Sequence, residues 1–277
     1  MKILITGASG RIGKSLGLRL LGAGHQVWGV ATSPTGIPFT GYSICDVCNP
    51  LDLEGGLIGD LEKNNWSHLD AIILAAGHSG PQQLAMDIPM RDWAIPIRTC
   101  LEGSFYPISA LFSLLKRGDS TSRKKIICFS GGGADRGREK FSSAAAAKAG
   151  LIRLVETLAL EWEQEPIDIN IVAPGSHRVP RKSLSPNSVL ESTEFDNLYD
   201  MVSFLLSKES DGFTGKWVSA QIHQVEFLKK NLLNWMTDAD EFTLRPKMPQ
   251  LREKEPERSD LRSVLKRKIN KFIFRKA

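Results

Sequence analysis

Lys2-Ile3-Leu4-Ile5-Thr6-Gly7-Ala8-Ser9-Gly10-Arg11-Ile12-Gly13 opens the chain and decides its fold. The first five residues are a short apolar run with β-branched side chains, which predicts a buried strand. Gly7, Gly10 and Gly13 predict a tight turn. Beyond it Ile12, Leu16, Leu20 and Leu21 recur at helical spacing until Gly22-Ala23-Gly24 ends the helix. Strand, glycine turn and helix together make a seat for a pyrophosphate. The glycines let the backbone approach the ligand, and the free N–H groups at the helix start point at the anion. An ordinary glycine-rich βα turn is the plainer alternative. A second strand at Gln26 to Ala31 completes the context and favours a dinucleotide site.

Working outward, strand and helix patterns alternate. Short apolar runs at Tyr42 to Cys45, Leu69 to Leu74, Lys125 to Ser130, Ile167 to Ala173 and Gly215 to Ala220 bring the strand count to seven. Helical patterns lie between them at Leu51 to Asn64, Asp92 to Arg117, Ser142 to Glu163 and Leu190 to Ser207. A break is expected near Pro96 or Pro107. The alternation predicts an α/β fold: a Rossmann-like, doubly wound, mainly parallel seven-stranded sheet with helices on both faces. It is expected to occupy residues 1–225, followed by an irregular segment at 226–251.

Bulk properties narrow the class. The 277 residues are long enough for a full core, and 42% hydrophobic with 24% charged content is ordinary for a globular chain. No apolar run approaches the ~18 residues of a spanning helix, and the N-terminus reads as a core strand, so a cytoplasmic location is expected. Cys45, Cys48, Cys100 and Cys128 are read as reduced thiols. Cys45-Asp46-Val47-Cys48 has metal-like spacing but no second pair or His cluster, so no metal is expected.

The net charge of +5 resides in a tail. Arg252 to Ala277 holds ten Lys/Arg and four Asp/Glu, so the rest of the chain sums to −1. Residues 252–277 are read as a tail helix. Its apolar residues Leu261, Val264, Leu265, Ile269, Phe272 and Ile273 recur at steps of three and four, with basic residues between. Residues 261–277 would suit an anionic membrane surface, the protein's own body or second subunit, or an acidic partner. A peripheral membrane location follows from the first. The body has no nucleic-acid signature, and no nucleic-acid partner is expected.

Six motifs in order resemble the short-chain dehydrogenase/reductase family over about residues 1–220. Thr6-Gly7-x-x-Gly10-x-x-Gly13 resembles its cofactor loop, implying contacts from Gly7, Ser9, Gly10, Arg11, Ile12 and Gly13. Cys45-Asp46-Val47 resembles the Asp-Val pair at the adenine, and Ala75-Ala76-Gly77 stands where the family has Asn-Asn-Ala-Gly. Ala173-Pro174-Gly175 resembles the loop that closes on the nicotinamide. Ser130 to Ala134 with Lys148 resembles the catalytic segment, and Asp211 to Gly215 the turn before the last strand. The resemblance implies an oxidoreductase transferring hydride between NAD or NADP and a carbonyl or alcohol. A small-molecule substrate of unspecified identity and a homo-oligomer are implied with it.

The resemblance fails at its centre. The family's catalytic tyrosine precedes the lysine by four residues, and here that position is Ala144. Its asparagine position is Cys100. Lys148 remains, with Ser130 as the family serine, though Gly131 aligns there equally well. An amine alone is a poor proton donor unless its pKa falls well below ~10. His78 and His177 are the other groups placed to face a cleft. Three readings therefore stand: a weak or altered oxidoreductase, a catalytically silent dinucleotide-binding regulatory or scaffold subunit, and an engineered Tyr-to-Ala change, against which Cys100 argues. The end of the second strand, Ala31-Thr32-Ser33, carries no acid to bind a ribose hydroxyl, which leans toward NADP; Arg11 is a candidate partner for its extra phosphate.

Overall fold

In the computed structural model residues 1–119, 121–175, 195–237 and 243 are described. Seven strands form one sheet: β1 (Lys2–Thr6), β2 (Gln26–Ala31), β3 (Gly41–Ile44), β4 (Ala71–Leu74), β5 (Lys124–Phe129), β6 (Ile167–Ala173) and β7 (Trp217–Ser219). Their order is β3-β2-β1-β4-β5-β6-β7, and every neighbouring pair is parallel. The sheet is the expected doubly wound one. Its strand order reverses between β1 and β4, the switch point at which this architecture binds ligands.

The central strands are largely apolar because both faces are covered. Successive residues serve opposite layers, as a period of two requires. Leu4, Ile72 and Ile126 face one core with Leu111, Leu151 and Val155. Ile3, Ile5, Ile73 and Ile127 face the other with Leu16, Leu20, Met201 and Val202. The first layer is built from α2 (Ile58–Lys63), α4 (Gly103–Lys116) and α5 (Ser142–Glu161). The second uses α1 (Arg11–Gly22), α6 (Asp196–Leu206) and α7 (Val225–Thr237); α3 (Met90–Ile97) precedes α4.

Two departures from the sequence reading have local causes. The long helix over 92–117 is divided into α3, a π-helical turn at Arg98–Glu102, and α4. Pro96 lies inside α3, where it supplies no N–H and crowds the preceding turn; the wider π turn follows directly. The π turn carries Cys100. The segment 226–251, expected to be irregular, instead begins as the helix α7. Leu228 is fully buried, and Val225, Leu232 and Trp235 pack against the same core at helical spacing. Much of its remaining surface is polar or exposed, which masked the pattern. The basic tail at 252–277, and the loop that follows Gly175 as far as residue 194, lie outside the described residues.

Candidate functional site

The carboxyl ends of β1, β4 and β5 open onto a cleft of about 690 Å³. One wall is the start of α1, with Gly10, Arg11 and Ile12. Ala75, Ala76 and Gly77 leave β4 along its floor, and Cys100 adds the π turn. The opposite wall holds Ser130, Gly131, Ala144 and Lys148. Ten of the residues expected from sequence thus meet in one place. Gly7, Ser9, Gly13, Asp46, Val47, Pro174 and Gly175 do not line this cleft.

Gly7 and Gly13 instead shape the turn that presents the α1 N-terminus. Gly7 has φ +64, and a Cβ there would lie 2.6 Å from the Ala75 carbonyl oxygen and the Ala76 nitrogen. A Cβ on Gly13 would lie 2.3 Å from the Gly7 carbonyl oxygen. The turn is closed by Gly10 N–H donating to Gly7 O at 2.8 Å, and Ala76 N–H donates to Thr6 Oγ1 at 3.2 Å. No side chain caps the helix start. Its N–H groups and dipole are left for an anion. Gly13→Ala is expected to force the turn apart and cost about 1–3 kcal/mol by overpacking. Urea denaturation checks this.

Lys148 lies one turn after Ala144 on α5. Its Nζ donates to the Phe129 carbonyl at 2.6 Å. A Cβ built on Gly77 would stand 3.6 Å from Cys100 Sγ and 3.8 Å from Lys148 Nζ, so thiol and amine flank the same backbone. Cys100 Sγ accepts from the His78 N–H at 3.4 Å and donates to the His78 carbonyl at 3.5 Å, fastening the segment after β4. His78 reaches the cleft, with Nδ1 accepting from Gly80 N–H at 2.9 Å. His177 lies outside the described residues. Ser130 is buried, and its hydroxyl accepts from Trp217 Nε1 at 2.9 Å. A side chain at Gly131 would begin 3.9 Å from Lys148 Cγ. The two positions left open by sequence therefore differ: the Ser130 hydroxyl is engaged by β7, and position 131 stands beside the lysine.

No tyrosine lines the cleft among the described residues. Tyr42 Oη donates to the Ser33 carbonyl, Tyr106 packs in the first core and Tyr199 in the second. Asp46 is occupied locally, its carboxylate accepting from Cys48 N–H at 2.9 Å and its N–H donating to Asp52 at 3.0 Å.

Arg138, in the loop between β5 and α5, also lines the cleft. Sequence reasoning passed over it, because one arginine in the charged run Asp135 to Lys140 carries no spatial signal. With Arg11 and Lys148 it makes three cations, and no Asp or Glu is among the described lining residues. The site therefore suits anionic ligands.

Three thiols that do not line the cleft are made hard to ionise by their environment. Burial pushes Cys45 and Cys128 up to about 12 and Cys48 to about 11. An unfolded thiol ionises near ~8.5. The unfolded chain thus releases protons that the native chain retains, and stability falls as pH rises through about 9. Thermal unfolding is expected to shift to lower temperature between pH 8 and pH 10, and replacing the three cysteines should flatten that dependence.

Comparison with known proteins gives concordant results. A family model described as enoyl-(acyl carrier protein) reductase matches residues 35–220. The 3-oxoacyl-[acyl-carrier-protein] reductase FabG of Buchnera aphidicola subsp. Acyrthosiphon pisum is 27% identical over 231 residues, covering 76% of this chain and 91% of that protein. FabG of Salmonella typhimurium is 30% identical over 184 residues, covering 62% and 71%. Among solved structures, Thermoplasma acidophilum aldohexose dehydrogenase superposes with TM-score 0.68 at 18% identity, covering 81% of this chain and 95% of that one. An NAD+-bound xylitol dehydrogenase gives TM-score 0.67 at 19% identity, covering 79% and 96%.

Proposed function

The chain belongs to the short-chain dehydrogenase/reductase family, and on that premise we propose that its cleft binds a nicotinamide dinucleotide while hydride-transfer chemistry is lost or much reduced. One observation carries the reading: Ala144 occupies the cleft wall one helical turn before Lys148, and no tyrosine lines that cleft among the described residues.

The residues fit the cofactor. A pyrophosphate needs backbone N–H groups and positive charge without side-chain bulk. The uncapped start of α1, with Gly10, Arg11 and Ile12 at the cleft, supplies them. Ala75, Ala76 and Gly77 leave a low floor beyond the switch point. Ala31, Thr32 and Ser33 at the end of β2 present no carboxylate to repel a 2′-phosphate, which favours NADP over NAD. The bound dinucleotide would supply or accept the hydride.

This chain's own residues would have to move the accompanying proton, and they are poorly equipped to do so. Ala144 has no ionisable group. Lys148 Nζ is engaged, donating to Phe129 O at 2.6 Å. The Ser130 hydroxyl accepts from Trp217, and an alcohol without a base is a poor acid. Cys100, where the family has asparagine, binds the His78 backbone and carries only a weak donor. A missing acid/base typically costs ~10²–10⁴ in rate.

The same losses support a second reading, a non-catalytic dinucleotide-binding regulatory or scaffold subunit, since the fold and pyrophosphate seat persist without the proton donor. A homo-oligomer and membrane attachment through 261–277 remain part of the proposal. Among the described residues no helix is long and apolar enough to cross a membrane.

Calorimetric titration with NADH and NADPH tests the reading. Saturable 1:1 binding, tighter for NADPH, is expected. Absence of binding by either would overturn it.

A further inference from the structure

We infer that the outer half of the cleft is an oxyanion-binding site, in which Arg138 and the backbone of Gly131 to Gly133 receive a carboxylate or phosphate group of the second ligand. This rests on the proposed dinucleotide site only in taking the inner half, at Arg11, as already used.

Four features point there. Gly131, Gly132 and Gly133 follow β5 after Ser130, and their N–H groups donate to no acceptor among the described residues. Consecutive unpaired N–H groups at a turn form an anion-binding concavity. Gly131 and Gly132 also line the cleft, so this backbone is presented to a ligand.

Arg138 folds back over that backbone. A Cβ on Gly132 would lie 2.4 Å from Arg138 Nη1. The guanidinium carbon stands 3.8 Å from the Phe141 ring centroid. Stacking on an aromatic face orients a guanidinium while leaving its edge donors available. Arg138 makes no ion pair among the described residues.

The aliphatic stem of Lys148 passes the same backbone, with its Cγ 3.9 Å from where a Gly131 side chain would begin and its Nζ on Phe129 O. Position 144 contributes only a methyl group to that wall. The Arg138 guanidinium, N–H groups without an acceptor beneath it and no Asp or Glu among the described lining residues make a setting that stabilises a negative group. A neutral alcohol or ketone would use none of these groups fully.

The test uses the full-length protein, its Arg138→Gln variant and its Arg11→Gln variant. Inorganic phosphate and acetate are titrated separately by NMR or calorimetry, and NADPH is titrated on each protein. Wild type is expected to bind at least one oxyanion. Arg138→Gln should weaken that binding about tenfold or more, the loss of a charge-assisted contact, while NADPH affinity changes less than twofold. Arg11→Gln should do the reverse.

The phosphate arm and the acetate arm distinguish the two kinds of group. No binding of either ion, or oxyanion affinity unchanged by Arg138→Gln, overturns the inference. Loss of oxyanion binding in Arg11→Gln but not in Arg138→Gln also overturns it, placing the ion at the pyrophosphate seat. Arg138-dependent oxyanion binding in a protein that ignores NADPH would sink the cofactor reading and leave this one standing.

Discussion

Ala144→Tyr is expected to raise carbonyl reduction by about 10²–10⁴-fold over the unmodified protein, the range associated with one positioned acid/base. In free energy that is about 3–5 kcal/mol of barrier. The expectation rests on position. Residue 144 lines the cleft, and Lys148 follows by one turn on the same helix. The ammonium group would lower the phenol pKa by direct charge interaction. The gain should appear in kcat, because the phenol acts in the transition state, with dinucleotide affinity nearly unchanged. Since the proposed outer site favours anions, the carbonyl panel should include oxo acids. Adding Gly131→Ser should increase the effect if position 131 is the one that faces substrate. If the unmodified protein already turns over as fast as the variant, the loss of catalysis is refuted.

The second large effect concerns stability. Asp168→Ala is expected to cost about 3–5 kcal/mol, the usual penalty for stranding a buried charge. Asp168 lies on β6 with its side chain fully buried. It accepts from Lys125 Nζ at 2.8 Å, from Arg123 Nη2 at 2.8 Å and from Gly212 N–H at 3.1 Å. Lys125 is 3% exposed and would keep only Asp211 and Ser210 as partners. Replacing Asp211, whose side chain is 37% exposed, should cost much less because water can solvate what remains. Urea denaturation of the two variants gives both numbers. Equal losses would show that burial does not set the energetics of this cluster.

The parts of this molecule readable from sequence are those made by neighbours in the chain. Lys2 to Gly24 is one βα unit whose strand, turn and helix are each fixed locally, so β1 and α1 stand where the sequence places them. The strand order follows from the right-handed crossovers that such units impose. What sequence could not show is contact across long separations. Trp217 reaches Ser130 over 87 positions and donates to its hydroxyl. Arg138 becomes part of a site only because its loop folds back on Gly132. Lys125 and Asp168 look misplaced in apolar strands until β5 and β6 pair side by side. Helix α7 was hidden because its burial is narrow, with Leu228 its one fully buried residue among those described. That alanine stands four residues before Lys148, where the resemblance expects a tyrosine, was legible at once because both lie on one helix.

A crystal structure of the unmodified protein grown with NADPH tests the central claim most directly. The expected density has the pyrophosphate against the N–H groups at the start of α1, beside Arg11, and the reduced nicotinamide toward Lys148 and Ala144. The cofactor should remain intact after exposure to carbonyl compounds. A dinucleotide bound elsewhere, or density for an oxidised cofactor with a converted carbonyl in the cleft, would contradict it.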